Sequence, residues 1–109
     1  MPLEMSVAEA KAKLDAEPKT ILLDVREPQE YALTRIEGSL LIPMNSVPGE
    51  LQKLEALADE GDILVLCHHG VRSLQVAAWL QARGVENAVS ITGGIDRWSV
   101  EIDAGVARY

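Results

Sequence analysis

The sequence predicts an α/β domain built on a mostly parallel sheet. Short, continuously apolar runs alternate with helix-like segments, the rhythm of strand–helix–strand units. Each run is apolar at successive positions, as a strand must be when helices cover both faces. The chain has 109 residues and is read as one domain over residues 1–109, since domains commonly hold about 100–150 residues. It contains no Phe, two Trp and two Tyr. Its core is therefore expected to be aliphatic.

The elements follow in order. Ser6-Val7-Ala8-Glu9 reads as a capping box, with Val7, Ala10 and Leu14 on the apolar face of the helix it starts. Ile21-Leu22-Leu23-Asp24-Val25 reads as a buried strand. Pro28 suits the first turn of a helix running into Gln29-Glu30-Tyr31-Ala32-Leu33. Leu40-Leu41-Ile42 is a second strand, stopped by Pro43. Pro48-Gly49 leads into an amphipathic helix with Leu51, Leu54, Leu57 and Ala58 inward. Ile63-Leu64-Val65-Leu66 is a third strand. Ser73 to Arg83 follows as a helix ended by Gly84, apolar on most sides and expected to be largely buried. Ala88-Val89-Ser90-Ile91 is a fourth strand, and a short helix runs from Gly93-Gly94 through Trp98. Trp79 and Trp98 are read as core residues.

Charge narrows the partners. Seventeen acidic residues against ten basic ones leave a formal charge of −7, which argues against nucleic acid and anionic membrane surfaces as partners. No apolar run approaches the roughly 18 residues of a membrane span. The N-terminal residues lack the pattern of a secretory signal. Cys67 is the sole cysteine, so an internal disulfide, a CxxC pair and a four-cysteine zinc site are all excluded within one chain. A cytoplasmic location is the expectation, because thiols stay reduced there.

The chemistry concentrates in Cys67-His68-His69-Gly70-Val71-Arg72-Ser73. The cysteine sits at the C-terminal end of a strand and just before a helix, the edge at which α/β sheets bind ligands. A lone cysteine at a strand end is usually a small buried hydrophobe. Here the following loop changes that reading. Successive backbone N–H groups and the helix dipole point positive potential at one place, and Gly70 lets the loop curl. A thiolate in that cradle is stabilised and nucleophilic at neutral pH. Arg72 offers a planar fork for an oxygenated anion. Ser73 either donates a hydroxyl or caps the helix.

His68 and His69 raise a metal reading, but zinc needs three or four converging ligands and the chain has no third His. No metal and no cofactor is expected. Either imidazole polarises substrate or tunes the loop's field, or both face solvent. Asp24, Arg26 and Glu27 follow the first apolar strand and fall on the same sheet edge. Structural support through salt bridges is preferred for them over substrate contact.

Three segments together resemble the rhodanese-like domain family, over nearly the whole chain. Leu22-Leu23-Asp24-Val25-Arg26-Glu27-Pro28-Gln29-Glu30-Tyr31 resembles its first signature. Cys67 to Ser73 resembles its active-site loop, and Gly93-Gly94-Ile95-Asp96-Arg97-Trp98 its closing signature. The resemblance implies a five-stranded, mostly parallel sheet flanked by helices on both faces. It implies sulfurtransferase activity, with a persulfide on Cys67 that carries sulfur from a small anionic donor such as thiosulfate. The acceptor is a thiol, a sulfur-carrier protein, or cyanide in the test tube. Arg72 then takes the donor-orienting position, and the amides from His68 through His69, Gly70 and Val71 to Ser73 stabilise the persulfide. One departure is Thr34-Arg35-Ile36 where the family usually has Gly-His-Ile. The stretch from Trp98 to Tyr109 resembles rhodanese domains attached to enzymes that activate sulfur-carrier proteins.

Two alternatives are weighed. Phosphatase or arsenate reductase chemistry also uses a cysteine-to-arginine loop, but four residues separate Cys67 from Arg72 here, one fewer than in the related phosphatases. The shorter loop suits a persulfide sulfur better than a tetrahedral oxyanion. The second is a non-catalytic interaction module that has lost turnover, which would be expected to lack the cysteine this chain retains; a persulfide carrier dedicated to one protein partner is its softer version.

Overall fold

The computed structural model describes residues 2–109. Its sheet comprises β1 (Glu4–Met5), β2 (Ile21–Asp24), β3 (Leu40–Leu41), β4 (Ile63–Leu66) and β5 (Ala88–Ile91), in the order β1-β5-β4-β2-β3. Every pairing is parallel. Four helices connect them, α1 (Val7–Ala16), α2 (Pro28–Leu33), α3 (Leu51–Ala58) and α4 (Val71–Ala82), and α5 (Gly94–Glu101) follows β5. Two short 3-10 turns, Met44–Ser46 and Pro48–Glu50, lead into α3.

The fifth strand is β1, which no apolar run announces. Two residues pair at the sheet edge, with Ser90 N donating to the Leu3 carbonyl and Thr92 N to the Met5 carbonyl, both at 2.8 Å. Just beyond it the Ser6–Glu9 capping box forms in both directions, at 3.0 and 3.1 Å. α2 starts at Pro28 as read, and Glu30 reaches back to the Glu27 amide at 2.9 Å.

Helices cover both faces of the sheet. On one face Leu23, Ile63, Val65 and Ala88 pack with Leu54 of α3 and Val76, Ala77 and Leu80 of α4. On the other, Leu22, Leu64, Val89 and Ile91 pack with Val7 and Ala10 of α1 and Ile95 and Trp98 of α5. Each fully buried aliphatic side chain stabilises the fold by about 1.5–3 kcal/mol.

Two readings of the long helix are corrected. α4 begins at Val71 rather than Ser73, because Gly70 at φ +104° turns the chain directly into it. It is also buried on one side only. Ala78 is exposed and Trp79 half-buried, with the Arg83 guanidinium 4.7 Å from the Trp79 ring centre, so of the two tryptophans only Trp98 is a core residue. Among the described residues no helix is long and apolar enough to cross a membrane.

Candidate active site

β4 lies between β5 and β2 and carries Cys67 directly past its C-terminal end. The cysteine is 1% exposed. Its Sγ accepts the backbone N–H of Gly70 at 3.1 Å and that of Ser73 at 3.3 Å, with the Ser73 hydroxyl at 3.4 Å. Ser73 thus donates its amide to sulfur from inside α4 while its hydroxyl accepts from the thiol, and the cap position belongs to Gly70. Two amide donors at a helix N-terminus make a pocket for a sulfur anion, and the Ser73 hydroxyl has a proton to add once the thiol is ionised.

The loop holds this curl because its outward carbonyls are occupied. Ile95 N donates to the Cys67 carbonyl at 2.8 Å and Asp96 N to the His68 carbonyl at 3.1 Å. With α5 bonded to the back of the loop, the amides of Gly70 and Ser73 face the sulfur. Gly94 sits at φ +61°, and a Cβ there would overlap the carbonyls of Cys67 and His68. That close approach explains why a glycine opens α5.

The charged residues sort into two pairs. Asp24 and Arg26, both fully buried, form a bidentate pair with bonds of 2.8 to 3.1 Å. Arg26 also donates to the carbonyls of Thr34 and Glu30. It therefore ties β2 to α2. The second pair gives Arg72 a partner that the sequence reading did not name: its guanidinium lies on Glu30, with Nη1–Oε1 at 2.7 Å and Nη2–Oε2 at 3.0 Å. Glu30 is brought beside the start of α4 by α2, and a carboxylate matches both guanidinium nitrogens at once. The Arg72 guanidinium, aided by the Tyr109 hydroxyl, holds the Glu30 carboxyl down at about 2. The same pairing raises Arg72 above its usual range.

Tyr109 is a site residue that sequence reasoning missed. Its ring stacks on His68 with centroids 3.9 Å apart, and His68 stacks in turn on His69 at 3.9 Å. The Tyr109 hydroxyl donates to Glu30 Oε2 at 2.6 Å and accepts from Arg26 Nη1 at 3.0 Å. Burial, and then the neighbouring His69, push His68 below the usual imidazole range, and its Nε2 is buried without a partner. His69 is exposed, 4.0 Å from Asp96, and Val71 is 68% exposed. Neither imidazole hydrogen-bonds the sulfur. Glu30 and Ser90 were also missed as site residues; Ser90 Oγ lies 2.8 Å from Ser73 Oγ. The available signals were Glu30 inside the first signature and one hydroxyl in an otherwise aliphatic strand. Arg35, in the departing Thr34-Arg35-Ile36 stretch, lies 5.1 Å from the Tyr31 ring centre, half exposed.

The comparisons agree with this geometry. The family model for the rhodanese-like domain matches residues 6–101. Rhodanese-like/PpiC domain-containing protein 12 of Arabidopsis thaliana is 38% identical over 92 residues, spanning 81% of this chain but 30% of that protein's length. YtwF of Bacillus subtilis, whose name includes the word sulfurtransferase, is 33% identical over 90% of this chain and 91% of its own length. GlpE of Pseudomonas fluorescens, named a thiosulfate sulfurtransferase, is 29% identical over 84% of this chain and 82% of its own. The crystal structure of SSP1007 from Staphylococcus saprophyticus superposes with a TM-score of 0.80 at 34% identity, covering 98% of this chain and all of that one. Matched across the fold and the Cys67 loop alike, the chain belongs to the rhodanese-like domain family.

Proposed function

We propose that this domain is a sulfurtransferase that carries sulfane sulfur as a persulfide on Cys67. The observation that carries the reading is the buried Sγ with the Gly70 and Ser73 amides directed at it and the Ser73 hydroxyl 3.4 Å away. The two amides suit an anionic sulfur and cost no reorganisation during reaction, and the hydroxyl turns its proton to the sulfur when the thiol ionises. Relatives named as sulfurtransferases support it.

With thiosulfate as donor, the Cys67 thiolate attacks the outer sulfur. A new S–S bond forms as the S–S bond of thiosulfate breaks, and its electron pair leaves with sulfite. An acceptor thiolate, or cyanide, then attacks the outer sulfur of the persulfide, and Cys67 departs as the thiolate. Only two of the five N–H groups of Arg72 are engaged by Glu30, so the remainder serve to orient the anionic donor. The physiological acceptor is a thiol or a sulfur-carrier protein, the class suggested by the stretch from Trp98 to Tyr109.

Intact mass after thiosulfate, then after cyanide, tests the reading. The expected gain is about 32 Da, one sulfur, removed by cyanide. Cys67→Ser abolishes the gain while the unfolding midpoint stays within about 5 °C. A protein that takes up no sulfur from thiosulfate or from a low-molecular-weight persulfide, while its thiol still alkylates, would overturn the reading in favour of oxyanion chemistry.

A further inference from the structure

One buried hydroxyl has no task in the reaction as described. Ser90 lies in β5, where Ala88, Val89 and Ile91 are aliphatic and buried. It occupies the same face of the strand as Ala88, two residues before it, and Ala88 packs in the cluster that contains Cys67. Ser90 is 1% exposed, and an aliphatic side chain would suit its surroundings. Its Oγ is 2.8 Å from Ser73 Oγ, which is 3.4 Å from Cys67 Sγ.

Counting protons gives this chain a direction. Each serine hydroxyl has one proton to donate and lone pairs to accept with. A sulfur anion accepts only. When Cys67 is a thiolate or a persulfide, both protons are used if Ser90 donates to Ser73 and Ser73 donates to Sγ. In the opposite order Ser73 withdraws its proton from the sulfur. The Ser90 proton then has no acceptor among the described residues. With a neutral thiol the chain reverses, the S–H donating to Ser73 and Ser73 to Ser90. The two hydroxyls therefore align with the charge on sulfur, and aligned bonds polarise one another.

We propose that Ser90 is a positioning residue for the sulfur nucleophile. It holds the Ser73 hydroxyl with its proton directed at Cys67 Sγ, so that β5 supports the anionic sulfur through α4. Ser90 acts through Ser73 and touches neither donor nor acceptor. The inference rests on Cys67 being the sulfur nucleophile and adds to that reading a residue outside the loop.

A double-mutant cycle tests it. Ser90→Ala is expected to slow alkylation of Cys67 by iodoacetamide, and persulfide formation from thiosulfate, by about three- to tenfold. The loss falls on the rate at saturating donor, with KM held within about twofold, because Ser90 makes no contact with the donor. Ser73→Ala gives a loss at least as large. The double variant is no slower than Ser73→Ala, since Ser90 has nothing left to orient. Losses that multiply in the double variant overturn the proposal, as does a Ser90→Ala protein within about twofold of wild type. Should Ser90→Ala fail to fold, Ser90→Thr and Ser90→Val provide the comparison at equal bulk. The threonine variant is expected to keep the faster alkylation, and equal rates overturn the proposal. Alkylation needs no sulfur donor. Failure of the sulfur-transfer reading would appear as a reactive thiol without mass gain, while the alkylation cycle still decides the role of Ser90.

Discussion

Arg72 lies bidentate on Glu30, Nη1 to Oε1 at 2.7 Å and Nη2 to Oε2 at 3.0 Å, joining residues 42 apart in sequence. The carboxylate also accepts from the Tyr109 hydroxyl at 2.6 Å and the Glu27 amide at 2.9 Å. Glu30 thus links α2, the start of α4 and the final residue of the sequence. The guanidinium carried by the Cys67–Ser73 segment is thus held in place by the Glu30 carboxylate.

Arg72→Ala is expected to raise the KM for thiosulfate by about tenfold or more, with a smaller effect on kcat, as for lost binding of an anion. Arg72→Lys restores part of the loss, since a point charge replaces a planar fork. Steady-state kinetics with thiosulfate and cyanide check this. An unchanged KM would leave Arg72 as the structural partner of Glu30 alone.

The Glu30 pair also sets an acid limit. Its carboxyl titrates at about 2 in the fold and near 4.3 in an unfolded chain. As pH falls through that interval the unfolded chain takes up the proton first. Stability from the pair is therefore complete above about pH 4.3 and lost as pH drops through about 2. Thermal unfolding of wild type and Glu30→Gln between pH 6 and 2 is expected to show a midpoint difference that narrows with acid. A constant difference would count against the assignment.

Tyr109 has two separable contributions. Tyr109→Phe removes the bonds to Glu30 and Arg26 and keeps the ring over His68, so it is expected to cost about 1–2 kcal/mol of stability while the His68 titration stays below the usual range. Tyr109→Ala also uncovers His68, whose titration then moves up toward about 6.5. Calorimetry and the pH dependence of the His68 C2–H resonance measure the two effects.

Gly94→Ala is expected to destabilise the protein by about 2 kcal/mol or more, from the left-handed backbone and the overlap with the loop carbonyls. Because those carbonyls hold the amide cradle in place, alkylation of Cys67 also slows. Urea unfolding and the alkylation rate of the folded variant test this. A variant with wild-type stability and reactivity would mean that the loop relaxes freely.

Local chemistry determined much of this protein in advance. Apolar runs at 21–25, 63–66 and 88–91 become β2, β4 and β5, the Ser6–Glu9 box and Pro28 start their helices, and Cys67 lands at a strand end before a helix. These outcomes depend on residues within a few positions of one another, so periodicity and capping express them directly. Gly70 likewise marks a left-handed turn that any residue with a Cβ resists.

Only the tertiary structure decided the partners of the side chains in the site. Arg72 meets Glu30, Tyr109 meets His68 and Arg26, and Ser90 meets Ser73 because the order β1-β5-β4-β2-β3 sets those elements side by side. β1 is an edge strand for the same reason: its signal is the pairing with β5, not the apolarity of two residues. An ion pair, a stack or a hydroxyl chain between distant segments leaves no period in the sequence. Its geometry follows from packing, and packing is a property of the whole fold.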